Sequence, residues 1–143
     1  RMVGEISPEE AARRYERELE VAFGQREVRF DLVLLGLGED GHTASLFPRT
    51  KSVDDEQSLV CAVYVPQLES WRISLTLRTI NNARRVLFLV AGGKKASILE
   101  RVLNAKQATK ALPATLIMPK EGTLLWMVDQ DAAVDIKGRE GQT

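Results

Sequence analysis

Asp31-Leu32-Val33-Leu34-Leu35-Gly36-Leu37-Gly38-Glu39-Asp40-Gly41-His42 is the stretch that decides how this chain folds. Leu32 to Leu35 form an unbroken apolar run that stops at a glycine. Such a run predicts a strand buried on both faces of a parallel sheet, here over Val28 to Leu35. Val86-Leu87-Phe88-Leu89-Val90 is a second run of the same kind, ended by Gly92 and Gly93. Leu59 to Val65 and Leu124 to Val128 read as further strands, the first stopped by Pro66. Trp71, Ile73, Leu75 and Leu77 alternate with Arg72, Ser74 and Thr76, which predicts a strand with one apolar and one polar face.

Helices are expected between these strands. Ser7-Pro8-Glu9-Glu10 is a helix start, with Ser7 as cap, Pro8 at the first helical position and Glu10 closing a capping box. Ala11, Tyr15, Leu19, Ala22 and Phe23 then share one face, and Gly24 ends it. Ile98, Leu99, Val102 and Leu103 form the stripe of a second helix. Buried strands alternating with amphipathic helices predict an α/β fold, a three-layer sandwich around a mostly parallel, Rossmann-like sheet. Residues 1–143 read as a single domain, with 137–143 as a flexible tail. The chain opens at Arg1 and enters a helix within a few residues, as a fragment or a processed chain does.

Composition narrows the function. Twenty Lys and Arg balance twenty Asp and Glu among 143 residues, so no global field draws the chain to nucleic acid or anionic membrane. No run reaches the roughly 18 apolar residues of a spanning helix, and no apolar leader segment is present. One cysteine, Cys61, leaves neither an internal disulfide nor a multi-Cys zinc site, and one histidine, His42, argues against a His-rich metal site. The expectation is a cytoplasmic protein that binds a small molecule or does chemistry with few specialised groups, with neither nucleic acid nor membrane as a partner.

In open α/β sheets ligands bind beyond the carboxyl ends of the strands, so the turns at Gly36 to His42 and Gly92 to Lys95 are the candidate site. Gly36, Gly38 and Gly41 match the G-x-G-x-x-G of dinucleotide binders. Glu39 and Asp40, however, would lie where a pyrophosphate must approach. Pro48 also leaves no room for the phosphate-binding helix, and no acid ends the next strand to hold a ribose. Weight shifts to His42, whose side chain trades protons near neutral pH; a capping or surface histidine is the alternative. Asp40 is a turn former or a partner of that ring. Lys94 and Lys95 oppose the helix dipole unless an anion sits in their turn; otherwise they are two solvated lysines. Arg72 is either a bidentate clamp for phosphate or carboxylate, or a strand arginine paired with an acid. Trp71, Trp126 and Phe47 read as core or pocket wall, and Cys61 as a small core residue.

The stretch from Asp31 through Asp40-Gly41-His42-Thr43-Ala44-Ser45-Leu46-Phe47-Pro48 resembles the signature of the 6-phosphogluconolactonase family. Arg72-Ile73-Ser74-Leu75-Thr76, Ile80-Asn81-Asn82-Ala83, Gly92-Gly93-Lys94-Lys95-Ala96, Leu112-Pro113-Ala114 and Leu125-Trp126-Met127-Val128-Asp129 are similar to later family segments in the same order. The resemblance implies the sugar-phosphate isomerase/lactonase type of fold. It also implies cofactor-free hydrolysis of 6-phosphoglucono-1,5-lactone to 6-phosphogluconate in the oxidative pentose phosphate pathway. His42 matches the family's general base, with Asp40 holding the loop or biasing the imidazole. Arg72 and Lys95 match its substrate- and phosphate-contacting cations, while Lys94 stands at a variable place and Gly41 belongs to the binding turn. Members also carry an N-terminal glycine- and serine-rich phosphate loop and an acid–arginine motif, neither present here. The chain therefore resembles the C-terminal larger part of such an enzyme. That part would have an uncovered sheet edge or face and would self-associate, where the complete enzyme is a monomer. The related glucosamine-6-phosphate deaminase shares the Asp-Gly-His turn, but carries Asn-Glu after its Phe where this chain has Pro48-Arg49. A non-catalytic sugar-phosphate-binding module is the third reading.

Overall fold

The computed structural model describes residues 1–136, and the tail expected at 137–143 lies outside the described residues. Helix α1 spans Pro8–Phe23. Strand β1, Val33–Leu35, is followed by the antiparallel pair β2, Val60–Val65, and β3, Ser70–Leu75. A short helix α2, Leu77–Asn81, leads into β4, Arg85–Val90; then come α3, Ala96–Leu103, and β5, Thr123–Val128. β1, β4 and β5 form a parallel sheet in the order β1-β4-β5, with Leu35 beside Phe88 and Phe88 beside Trp126. The expected α/β class with a parallel sheet is what forms. β2 and β3 stand apart as a two-stranded antiparallel sheet.

The inward face of the parallel sheet carries Val33, Leu35, Val86, Phe88 and Val90, packed with Ile98, Leu99 and Val102 of α3. Phe88 and Trp126 stack with ring centroids 4.0 Å apart and planes within 5°. Their β4–β5 pairing sets the rings side by side on one face. The outward face is different. Leu34 is 57% exposed, Leu89 46%, Leu125 51% and Met127 61%. The continuous apolar runs predicted burial on both faces, but no layer covers the second face among the described residues. The apolar character is there and the cover is not, as expected of a sheet with an uncovered face.

α1 packs on the β2–β3 pair through Ala12 and Leu19, with Tyr15 and Phe23 at the margin. Ala22, expected on that stripe, is exposed, and Ala12 takes its place. Ser7 makes no side-chain cap and the capping box does not form. Ser7 is exposed, and its carbonyl accepts the first helical bond from Ala11 at 2.9 Å.

Two further expectations change. The strand predicted over Val28 to Leu35 is ordered as β only from Val33. The expected division of β3 holds only in part: Ile73 and Leu75 pack against the core and Arg72 is exposed, but Ser74 and Thr76 are buried as well and Trp71 is exposed. Hydrogen bonds account for this. Ser74 Oγ accepts from the Ser45 amide at 3.1 Å and donates to the Leu75 carbonyl at 2.9 Å. Thr76 Oγ1 donates to the Ser58 carbonyl at 2.8 Å and accepts from the Thr79 amide to start α2. Leu77 belongs to that helix, not to the strand.

Candidate active site

The chain leaves β1 at Leu35 and folds Gly36 to His42 into a compact loop at the carboxyl end of the sheet. The Gly38 amide donates to the His42 carbonyl at 2.8 Å, and the Gly41 amide to the Gly38 carbonyl at 2.9 Å. Thr43 Oγ1 ties the exit to the Gly36 carbonyl at 2.8 Å. Gly41 has φ +85°, and a β-carbon there would meet Leu112 Cδ2 at 2.7 Å. This glycine is required by both backbone and packing.

The loop aims Asp40 and His42 at each other. Asp40 Oδ1 accepts the His42 amide at 3.0 Å and shares a 2.6 Å hydrogen bond with His42 Nδ1. Burial by itself would raise the Asp40 carboxyl. Hydrogen bonds from the His42 amide and ring, with the ring's charge, nevertheless hold it below the usual aspartate range. An ionised carboxylate only accepts, so Nδ1 carries the proton and the neutral ring keeps its lone pair on Nε2. One face of the imidazole stacks on buried Phe47, with centroids 4.0 Å apart and an interplanar angle of 25°.

A cavity of about 470 Å³ opens over this pair and also touches Gln67, Arg72 and Lys95. Lys95 arrives from the turn that follows β4. There Gly92 takes φ +90°, and its amide is clamped by Asp129 at 3.0 and 2.9 Å. Arg72 comes from β3, where its guanidinium donates to Ser70 Oγ at 2.7 Å. Among the described residues no carboxylate forms an ion pair with Arg72 or Lys95, so the surface-pair alternative for Arg72 is not what forms. The cavity thus joins a base with a fixed tautomer to two unpaired cations, a combination suited to an anionic substrate that needs a proton moved.

Of the residues read from sequence, His42, Asp40, Arg72 and Lys95 share this cavity, whereas Lys94 and Gly41 do not line it. The Gly41 amide is used inside the loop and its carbonyl by the Ala114 amide at 3.0 Å. Gln67 was not foreseen, because it sits in the turn between β2 and β3 with nothing in its spacing to link it to His42. Cys61 is buried in β2, and burial, with the Asp55 charge adding, pushes its thiol up to about 11, so it is no nucleophile near neutrality. No group of three or more His, Cys, Asp or Glu among the described residues is placed to hold a metal ion.

A second cavity of about 520 Å³ lies at the other end of the sheet, beside Arg78, Asn81 and Asn82. Three of its polar side chains are already engaged. Asn81 Nδ2 donates to the Leu116 carbonyl, Asn82 Nδ2 to that of Val28 and Arg78 to that of Gln57. These three side chains hold structure there.

The family described as glucosamine-6-phosphate isomerases/6-phosphogluconolactonase matches residues 1–126. The 6-phosphogluconolactonase of Homo sapiens is 40% identical over 131 residues, covering 90% of this chain and 50% of that protein. The crystal structure of the devB protein superposes with a TM-score of 0.87 at 33% identity, covering 95% of this chain and 58% of that one. The 6-phosphogluconolactonase of Trypanosoma brucei superposes with a TM-score of 0.77 at 29% identity, covering 89% and 53%. The chain spans about half the length of the curated relatives it matches.

Proposed function

The chain belongs to the glucosamine-6-phosphate isomerase/6-phosphogluconolactonase family, and from that premise we propose that its His42 cavity hydrolyses 6-phosphoglucono-1,5-lactone to 6-phosphogluconate. The carrying observation is the 2.6 Å Asp40–His42 bond in a cavity also lined by Arg72 and Lys95, neither of which is in an ion pair among the described residues. His42 Nε2 takes a proton from water, and the hydroxide adds to the lactone carbonyl carbon. The tetrahedral intermediate collapses, the bond to the ring oxygen breaks, and protonated His42 returns its proton to that oxygen. The new carboxyl group then ionises. A base so placed is worth roughly 10² to 10⁴ in rate. Lys95 and Arg72 hold the phosphate and the sugar, so that binding remote from the carbonyl orients it. Lys94, next to Lys95 in the turn, adds positive charge for the phosphate. A lactone is an activated ester, so the route needs neither a covalent nucleophile nor a cofactor.

The reading includes the oxidative pentose phosphate pathway and a cytoplasmic location, with the sugar phosphate as the partner. It also includes residues 1–143 acting as one domain. By itself this chain self-associates through the open sheet face of Leu34, Leu89, Leu125 and Met127. The test is acid release from the lactone with the wild-type chain and with His42→Ala. Ammonia release from glucosamine-6-phosphate would favour the isomerase side of the family. Binding of 6-phosphogluconate with no acid release would favour a binding module.

A further inference from the structure

Glycines in this chain do two different jobs. Gly24, Gly41 and Gly92 hold positive φ, where other residues are strained. Gly38 does not, so its backbone conformation is open to any L-residue. What excludes a side chain there is the imidazole. A β-carbon on Gly38 would lie 2.0 Å from His42 Nδ1, 2.2 Å from Cε1 and 2.7 Å from Cγ. The closest of the three is Nδ1, the atom bonded to Asp40. The ring has little freedom to yield, because Phe47, itself buried, stacks on it. Gly36, two residues earlier in the same loop, has no atom within 4 Å of such a β-carbon.

We propose that Gly38 is a positioning residue for the hydrolysis: its missing side chain is the seat of the His42 imidazole and keeps Nδ1 on Asp40. This rests on the lactonase reading for what the ring does, but not for where it sits. Any side chain at position 38 evicts the ring, breaks the Asp40 contact and frees the tautomer that leaves Nε2 basic.

His42 is the single histidine of the chain, so its ring carbons give unambiguous signals in a proton–carbon NMR spectrum. In the wild-type chain we expect nuclear Overhauser contacts between the Gly38 α-protons and the imidazole, and ring-current-shifted His42 signals from Phe47. In Gly38→Ala we expect loss of that ring-current shift, an Asp40 carboxyl that titrates higher than in wild type, and a lower kcat for the lactone at unchanged KM. Gly36→Ala keeps the wild-type His42 signals. A Gly38→Ala protein with unchanged His42 signals and Asp40 titration overturns the proposal. So does a wild-type chain without the Gly38–imidazole contacts, a result that needs no variant to fold. Wild-type contacts in a chain that hydrolyses no lactone would overturn the functional reading alone and leave the seat standing.

Discussion

Replacing Asp40 by Asn removes one charge and almost no volume, which isolates what the carboxylate does for His42. The Asn oxygen still accepts the His42 amide, so the loop is kept. What is lost is the charge-assisted part of the 2.6 Å bond to Nδ1. A hydrogen bond to a charged group is worth about 1.5–3 kcal/mol. The side chains of His42 and Asp40 are 30% and 42% exposed, so water screens part of it. About 1–2 kcal/mol remains, which is a five- to thirtyfold fall in rate, roughly. Because Asp40 acts through the ring, kcat carries the loss and KM does not. Acid release from 6-phosphoglucono-1,5-lactone across a range of substrate concentrations measures both. An unchanged kcat, or a loss confined to KM, would refute the reasoning. The same substitution has a signature in stability. The Asp40 carboxyl is held below its ordinary value in the folded chain, so it stabilises the fold above the unfolded aspartate pKa. That contribution fades as pH falls from about 4 through the folded value. The Asp40→Asn chain lacks this component, and its thermal midpoint depends less on pH in that window.

Two further outcomes follow from packing. Phe88→Ala empties a fully buried site against Trp126 and should cost about 3–5 kcal/mol, read as a lower urea midpoint. A loss below about 1 kcal/mol would mean that β4 is not the centre of the core. Leu125→Lys with Met127→Lys alters the open sheet face, where both side chains are more than half exposed. Light scattering should then show less self-association at a nearly unchanged thermal midpoint, whereas equal association would move the contact elsewhere.

How much the amino-acid sequence revealed depended on whether a pattern is local. The Leu32–Leu35 and Val86–Val90 runs and the glycines after them located the parallel strands and the ligand end of the sheet. They could not show that Leu34 and Leu89 lie bare, because an apolar run records what a face is built to meet, not whether it is met. Ser74 and Thr76 looked like a solvated face. Their hydroxyls are consumed by backbone groups up to 29 residues away, a pairing no alternation rule contains. The His42–Asp40 contact was legible because the partners stand only two positions apart. Arg72 and Lys95 were legible as residue types at strand and turn positions, and the fold brings them to one cavity. Gln67 was silent, since only the β2–β3 turn carries it there. Gly38 read as part of a dinucleotide-binding glycine pattern, and its contact with the imidazole appears only once the loop is closed.

The most direct measurement is the rate of acid release from 6-phosphoglucono-1,5-lactone, above the spontaneous rate, by the wild-type chain and by His42→Ala at neutral pH. The account predicts a catalysed rate in the wild-type chain that falls by about 10² to 10⁴ in the variant. Equal rates in the two proteins would contradict it.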